Sequence, residues 1–305
     1  MKAIGESIHV IAPSVRAAIE NRDKAFIQDL ARRQVEAGAD VLDLNIGPQK
    51  KAGPEVMEWM VKTVQEAVDV PLSLDTTNAA AIEAGLKVCR KRPLINSTDA
   101  TDRLNVLMPL AAKYNANIIA LTYGGKALPT TADARVELAV ERIMVAAAEH
   151  GVPTENIYLD PLVLTVNGNQ DQAVQTIESV RFFKQMSEPP PFTTCGLSNV
   201  SNSCPAELRP LLNQVFLVMM LGAGIDAPIV DVFDKELMRI PKVLEARDAS
   251  TPVNKLYLDI YDTYVAGGRF DPSGVDMSDS RLRDVVKTVQ IMENKNLYAH
   301  GYLKL

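Results

Sequence analysis

Eight times along this chain a short run rich in Val, Ile and Leu gives way to a longer stretch with helical periodicity. The runs are KAIGES (2–7), DVLDLN (40–45), PLSLD (71–75), PLIN (93–96), NIIALT (117–122), NIYLD (156–160), TTCGLS (193–198) and IDAPIV (225–230). Helical patterns fall between them near 24–37, 54–68, 78–89, 102–114, 132–150, 170–186, 206–222 and 234–247. Most runs start about thirty residues apart, the size of a βαβ unit. Buried parallel strands read as apolar runs rather than alternations, so eight such units predict a closed parallel (β/α)8 TIM barrel. An open doubly wound sheet is the rival, but no GxGxxG follows the first run to support it.

The junctions carry matching punctuation. Asn78 or Thr77 is placed to cap the third helical stretch, and Pro54 sits in the first turn of the second. GAGIDA (222–227) reads as a helix end before the eighth strand. Beyond residue 247 the alternation stops. NKLYLDIYDTYVAGG (254–268) and RLRDVVKTVQIMENKNLY (281–298) read as two more helices joined by a polar loop. Residues 266–305 are too short and polar for an independent domain, so the expected organisation is a barrel over 1–265 with a C-terminal extension over 266–305. The extension is expected to pack on the barrel or on a dimer partner.

Composition narrows the partners. A formal net charge of −6, with acids and bases interleaved, offers no surface for a polyanion, so nucleic acid is not expected. No apolar run reaches the roughly 18 residues of a spanning helix, and MKAIGESIHV has no signal-peptide pattern. No membrane partner is expected, and the reading is cytoplasmic. Cys89, Cys195 and Cys204 form neither a CxxC pair nor a disulfide framework, which fits a reducing compartment.

The strand ends are polar. Glu6 and Ser7 end the first run, Asp43 and Asn45 the second, and Asp75, Asn96, Thr122 and Asp160 close the next four. Ser198 and Asn199 follow the seventh. A barrel gathers these positions on its C-terminal face, where enzymes of this architecture keep their active sites. One such residue means little; one at nearly every strand needs a cause. The set holds carboxylates and amides but no strand-end Lys, Arg or His, which argues against Schiff-base chemistry and a histidine-based triad. His9, His150 and His300 are dispersed, and the amides among Asp43, Asp75 and Asp160 suit hydrogen bonding better than Mg²⁺, so no protein-bound metal is expected. Carboxylates with amides match a planar heterocycle that presents an N–H beside an amino group, with a carbonyl and ring nitrogens as acceptors. A reduced pterin satisfies this pattern, as do other heterocycles.

The segments GES (5–7), EAGADVLDLNIGP (36–48), LDTTN (74–78), AIEAGLKVC (81–89), LINSTDA (94–100), YLDPLVL (158–164) and GLSNVSNSC (196–204) add a resemblance. They resemble the pterin-binding methyltransferases that use methyltetrahydrofolate and a corrinoid protein, over residues 1 to about 265. The resemblance implies a (β/α)8 barrel, commonly a homodimer. It implies methyl transfer between N5 of tetrahydrofolate and the cobalt of a cobalamin carried by a partner corrinoid protein. Tetrahydrofolate and 5-methyltetrahydrofolate are then substrates. By the same resemblance Asp75, Asn96 and Asp160 form the pterin-anchoring set, and Asn199 is the mobile amide that reaches N5; Asn199 and Asp160 are the expected catalytic residues. Glu6, Asn45, Ser198 and Ile229 align with residues lining the site, and Arg209 with an arginine after the GLSN loop. The chain departs from acetogenic members at Asn202, where they carry a glutamine, and in a slightly longer loop after Cys204. That departure and the 266–305 extension suggest an enzyme of methyl-group catabolism, moving methyl from a small corrinoid protein to tetrahydrofolate, rather than one serving the corrinoid iron–sulfur protein of acetogenesis.

Each residue also has a plain structural reading. Asp75 would serve as a helix cap, Asp160 before Pro161 as a turn residue, and Asn96 as part of a capping stretch. Asn45 with Gly47 would form a turn, and Glu6 an ion pair at the rim. Among competing functions, dihydropteroate synthase shares the barrel and much of the pterin pocket. Here, however, ESIHVIAPS stands where its Asn-Thr-Pro-Asp stretch is expected, and GLSNVSNS where its basic residues are. A non-catalytic pterin-binding module would need no amide aimed at N5. A methionine synthase folate domain would be expected beside cobalamin or homocysteine modules.

Overall fold

The computed structural model describes residues 1–49 and 51–304. Its strands are β1 Ile4–His9, β2 Val41–Asn45, β3 Leu72–Asp75, β4 Leu94–Asp99, β5 Asn117–Leu121, β6 Ile157–Asp160, β7 Phe192–Thr193 and β8 Ile229–Val230. They pair in parallel in the order β7-β6-β5-β4-β3-β2-β1-β8. A parallel bridge between Gly196 and Ile229, with the Ile229 N–H donating to the Cys195 carbonyl at 2.8 Å, joins the two ends of that order. The sheet thereby curls into the (β/α)8 TIM barrel that the repeating pattern predicts.

Residue parity divides each strand between two environments. Leu42, Leu44, Leu72 and Leu74 belong to the main core under the helices, each with 2% exposure or less. A fully buried Leu contributes about 2 kcal/mol. The alternate residues Ile4, Leu94, Ile119, Tyr158 and Ala227 form a second cluster, fringed by Val41, Leu121, Phe192 and Ile229, which fills the lumen toward the N-terminal strand ends. Two residues further along the same faces stand Glu6, Asp43, Asn96 and Asp160. The lumen is therefore apolar at one end and polar at the other, and that division positions the site.

Several elements differ from the sequence expectation, among them β8, which covers Ile229–Val230 rather than 225–230. A helix at Pro13–Glu20 occupies what reads as a loop; Pro13 starts it, and it buries only Val15, Ala18 and Ile19, too short a stripe to stand out. The seventh strand covers Phe192–Thr193 instead of 193–198 and is followed by a 3-10 turn at Leu197–Ser201. Side chains replace much of the ladder there: the Thr193 and Thr194 hydroxyls donate to the Gly224 and Ala227 carbonyls at 3.0 and 2.6 Å. The last helix stops at Met292 rather than 298, because Asn294 turns to φ +55° and the N–H groups of Lys295 and Asn296 fold back onto the Gln290 carbonyl.

The C-terminal segment is tied to the helices by one buried acid. Glu293 accepts from the Tyr264 hydroxyl and the Phe270 N–H, both at 2.8 Å, and pairs with Lys295 at 2.6 Å. Gly224 ends the helix Arg209–Ala223 at φ +104°, a left-handed cap, as the GAGIDA pattern predicts. No helix among the described residues is long and apolar enough to cross a membrane.

Candidate active site

Strand register builds the first half of the site. Asn45 lies beside Asp75, and Asp75 beside Asn96. The Asn45 amide donates to Asp75 Oδ2 at 2.5 Å while its own Oδ1 accepts from the Gly47 N–H at 3.0 Å, so this residue serves both the turn and the site. Asp75 does not cap the following helix. Asn78 does, accepting from the N–H groups of Ala80 and Ala81. The Asp75 carboxylate is thus left to face the lumen.

One layer deeper lies a residue that the ligand set inferred from the sequence omits. Asp43 is 5% exposed and accepts the Ser73 hydroxyl at 2.5 Å and the Asn96 amide at 3.0 Å, both on Oδ1. Asp75 stands beside it as a second buried carboxyl. Burial, then the neighbouring Asp75 charge, pushes the Asp43 carboxyl up to about 8. Asp75 is itself raised, chiefly by burial. At neutral pH this pair holds a proton between two carboxyl groups. The strand-end pattern names Asp43, and its parity with Asn45 in VLDLN is the signal that it faces the same lumen.

Asp160 closes the opposite side, at the end of β6. It is 6% exposed, and burial raises its carboxyl to about 7, against the opposing effects of the Leu162 N–H and the Arg135 charge. The Leu162 N–H donates to Asp160 Oδ1 at 2.7 Å, so Asp160 is also a turn residue. That turn needs Leu162 at φ +67°, a left-handed conformation that a branched side chain adopts only under constraint.

The third group sits on the Leu197–Ser201 turn. The Ser198 hydroxyl donates to Glu6 Oε1 at 2.7 Å, fastening this turn to β1. Glu6 is raised by burial first and secondarily by Asp231, while the Ser198 bond and Arg209 oppose the rise. Asn199 is exposed at the rim, and the Asn202 amide donates to its Oδ1 at 3.0 Å. Arg209 is exposed and donates from Nε to the Ser201 hydroxyl at 3.3 Å, which supports the turn from outside the lumen. Ile229 is half-buried in the lumen wall.

The C-terminal segment also reaches this rim. Gln170 donates to Asn294 Oδ1 and the Asn296 carbonyl, both at 2.7 Å, and Thr165 and Asn167 on the same loop donate to the Asn202 and Ser203 carbonyls. No group of three or more His, Cys, Asp or Glu among the described residues is arranged to hold a metal ion. A separate groove of about 580 Å³, lined by Met1, Ala3, Asp40 and Tyr261, lies outside the barrel toward its N-terminal end and holds none of these groups.

The geometry is a cup of carboxyls and amides, deep at Asp43 and Asp160 and open at Asn199. Comparison with known proteins agrees with that character. The family model described as pterin binding enzyme matches residues 14–231. The chain belongs to this pterin-binding family. Among curated relatives, it is 31% identical over 241 residues to the methylcorrinoid:tetrahydrofolate methyltransferase of Eubacterium limosum, covering 78% of this chain and 88% of that one. It is 32% identical over 225 residues to methionine synthase of Mycobacterium tuberculosis, covering 70% of this chain but only 19% of that protein's length. Solved structures sharing the fold include dihydropteroate synthases. One from Yersinia pestis has TM-score 0.56 at 18% identity, covering 81% of this chain and 93% of its own; one from Thermus thermophilus has TM-score 0.53 at 20% identity, covering 81% and 92%.

Proposed function

We propose that the protein is a methyltransferase that moves a methyl group between a corrinoid carried on a partner protein and N5 of tetrahydrofolate. The observation that carries this reading is the donor set of the cup: four buried or half-buried carboxyls, Glu6, Asp43, Asp75 and Asp160, interleaved with amides, with no Lys or Arg at a strand end and His9 closing β1 beside Asn45. A pterin's N–H and amino group need carboxylate acceptors, and its carbonyl and ring nitrogens need donors. Asp75, Asn96 and Asp160 would hold the ring, with Asp43 backing Asn96 and Asn45 backing Asp75. When bound, the corrinoid supplies the cobalt that gives up or takes the methyl group.

The protein's own part is proton placement. Asn199, at the open rim, would meet N5 and hold its proton as charge changes there. Asn202 orients Asn199 through their 3.0 Å bond, and the Glu6–Ser198 bond fixes the turn that carries both. Ile229 would pack on the pterin edge, and Arg209 would hold the turn from behind. Asn202, one carbon shorter than the glutamine of acetogenic members, contacts Asn199 directly. We assign the catabolic direction, from methylcorrinoid to tetrahydrofolate, and a small corrinoid protein as partner. The activity named for the Eubacterium limosum relative and the extension contacting the rim loops support this choice. A homodimer in a cytoplasmic setting completes the proposal.

Binding tests the cup directly. Calorimetry with tetrahydrofolate should show affinity lost about tenfold or more in Asp75→Ala and Asn96→Ala, and retained within a few-fold in Asn199→Ala. Equal binding by Asp75→Ala and the parent protein would refute the assignment.

A further inference from the structure

We propose that Arg135 is a positioning residue for Asp160: it locks the turn that carries this carboxyl and biases it toward the ionised form that accepts a pterin's donors. The inference rests on the pterin reading of the cup. Arg135, on the helix Ala132–Leu138, is 1% exposed, yet its acceptors are all neutral. Nε donates to the Pro129 carbonyl at 3.2 Å, one terminal nitrogen to Thr176 Oγ1 at 3.0 Å, and the other to Gln172 Oε1 at 2.8 Å. A guanidinium buried for stability alone is ordinarily paired with a carboxylate.

The bonds continue to the site. The Thr176 hydroxyl, held by Arg135, donates to the Leu162 carbonyl at 2.9 Å, and the Leu162 N–H donates to Asp160 Oδ1 at 2.7 Å. Leu162 is the residue at φ +67°, so the network grips the one strained position between Arg135 and Asp160 from both its carbonyl and its N–H. The bond to Asp160 engages Oδ1 and directs the carboxyl inward.

Charge acts along the same line. The charges acting on Arg135 are those of Asp160 and of Asp171 on the helix Asp171–Phe183. Facing Asp160 are Arg135 and, beyond β7, the Cys195 thiol, which is raised by burial and also feels Asp160 and Glu6. Arg135 is thus the cation that acts on Asp160. Burial brings Arg135 down to about 10, and it remains charged at neutral pH.

The test titrates the Asp160 carboxyl by carbon-13 NMR in ligand-free protein, with its resonance assigned by its absence in Asp160→Asn. Arg135→Met should raise the midpoint by about one pH unit, and Arg135→Lys should restore most of the parent value. Thr176→Val, which cuts the hydroxyl link and leaves the charge, should weaken tetrahydrofolate binding about tenfold at pH 7, while Thr176→Ser stays within twofold. An Asp160 midpoint unmoved in Arg135→Met overturns the proposal, as does equal binding by the two Thr176 variants. Should Arg135→Met fail to fold, the Thr176 pair decides. The titration needs neither pterin nor corrinoid, so it stands or falls apart from the methyltransferase reading.

Discussion

Replacing Asp43 with Asn removes one titration and almost nothing else. Both of its side-chain donors, Ser73 and Asn96, bond to Oδ1, an acceptor that the amide retains. In the folded protein the carboxyl is pushed up to about 8, against 3.8 for the free group. A carboxyl raised by folding stabilises the protein fully below pH 4, and that contribution is lost as pH rises through 8. Between those limits the folded chain holds about one proton more than the unfolded one. The slope is then about 1.4 kcal/mol per pH unit, and from pH 5 to 8 the upper bound is about 4 kcal/mol. Asp75 is coupled to Asp43 and shares the proton, which lowers the part that Asp43 alone carries. We therefore expect about 2 kcal/mol. Urea unfolding of the ligand-free protein at pH 5, 6.5 and 8 should show the parent losing that much more stability than Asp43→Asn. Glu6 and Asp160 titrate in both proteins, so the difference isolates the coupled Asp43–Asp75 pair. Parallel pH profiles would refute the account of a proton held between Asp43 and Asp75.

Two further outcomes follow from named bonds. Asn202→Ala frees the Asn199 amide and should slow methyl transfer about three- to tenfold in single-turnover kinetics, with tetrahydrofolate affinity within twofold of the parent. Glu293→Gln weakens the charge-assisted bonds from Tyr264, Phe270 and Lys295; it should cost about 2 kcal/mol in urea unfolding and speed amide exchange across 294–304.

The barrel was legible because parallel strands buried on both faces leave apolar runs, and helices between them keep their own period. The polar end of each run pointed to the site for the same reason: a lumen that is apolar at Ile4, Leu94 and Tyr158 becomes polar two residues on, at Glu6, Asn96 and Asp160. Asp43 was hidden in plain text. Its place one layer below Asn45 follows from alternation, but its bond to Asn96 depends on the side-by-side register of β2, β3 and β4, which no single run encodes. Arg135 lay further out of reach. It stands in a helical stretch, and its link to Asp160 passes through Thr176, 41 residues away in the chain. The shortened β7 was missed because threonine hydroxyls there do the joining that a ladder does elsewhere.

The central claim, methyl transfer across this cup, is tested most directly by mixing the protein anoxically with tetrahydrofolate and either methylcobalamin or a methylated small corrinoid protein, and following the corrinoid spectrum for Co(I). The account predicts Co(I) with the parent protein, slowed about a hundredfold in Asn199→Ala and strongly reduced in Asp160→Ala. Tetrahydrofolate that binds while no methyl moves in either direction, with either methyl donor, would contradict it and leave a pterin-binding protein without this chemistry.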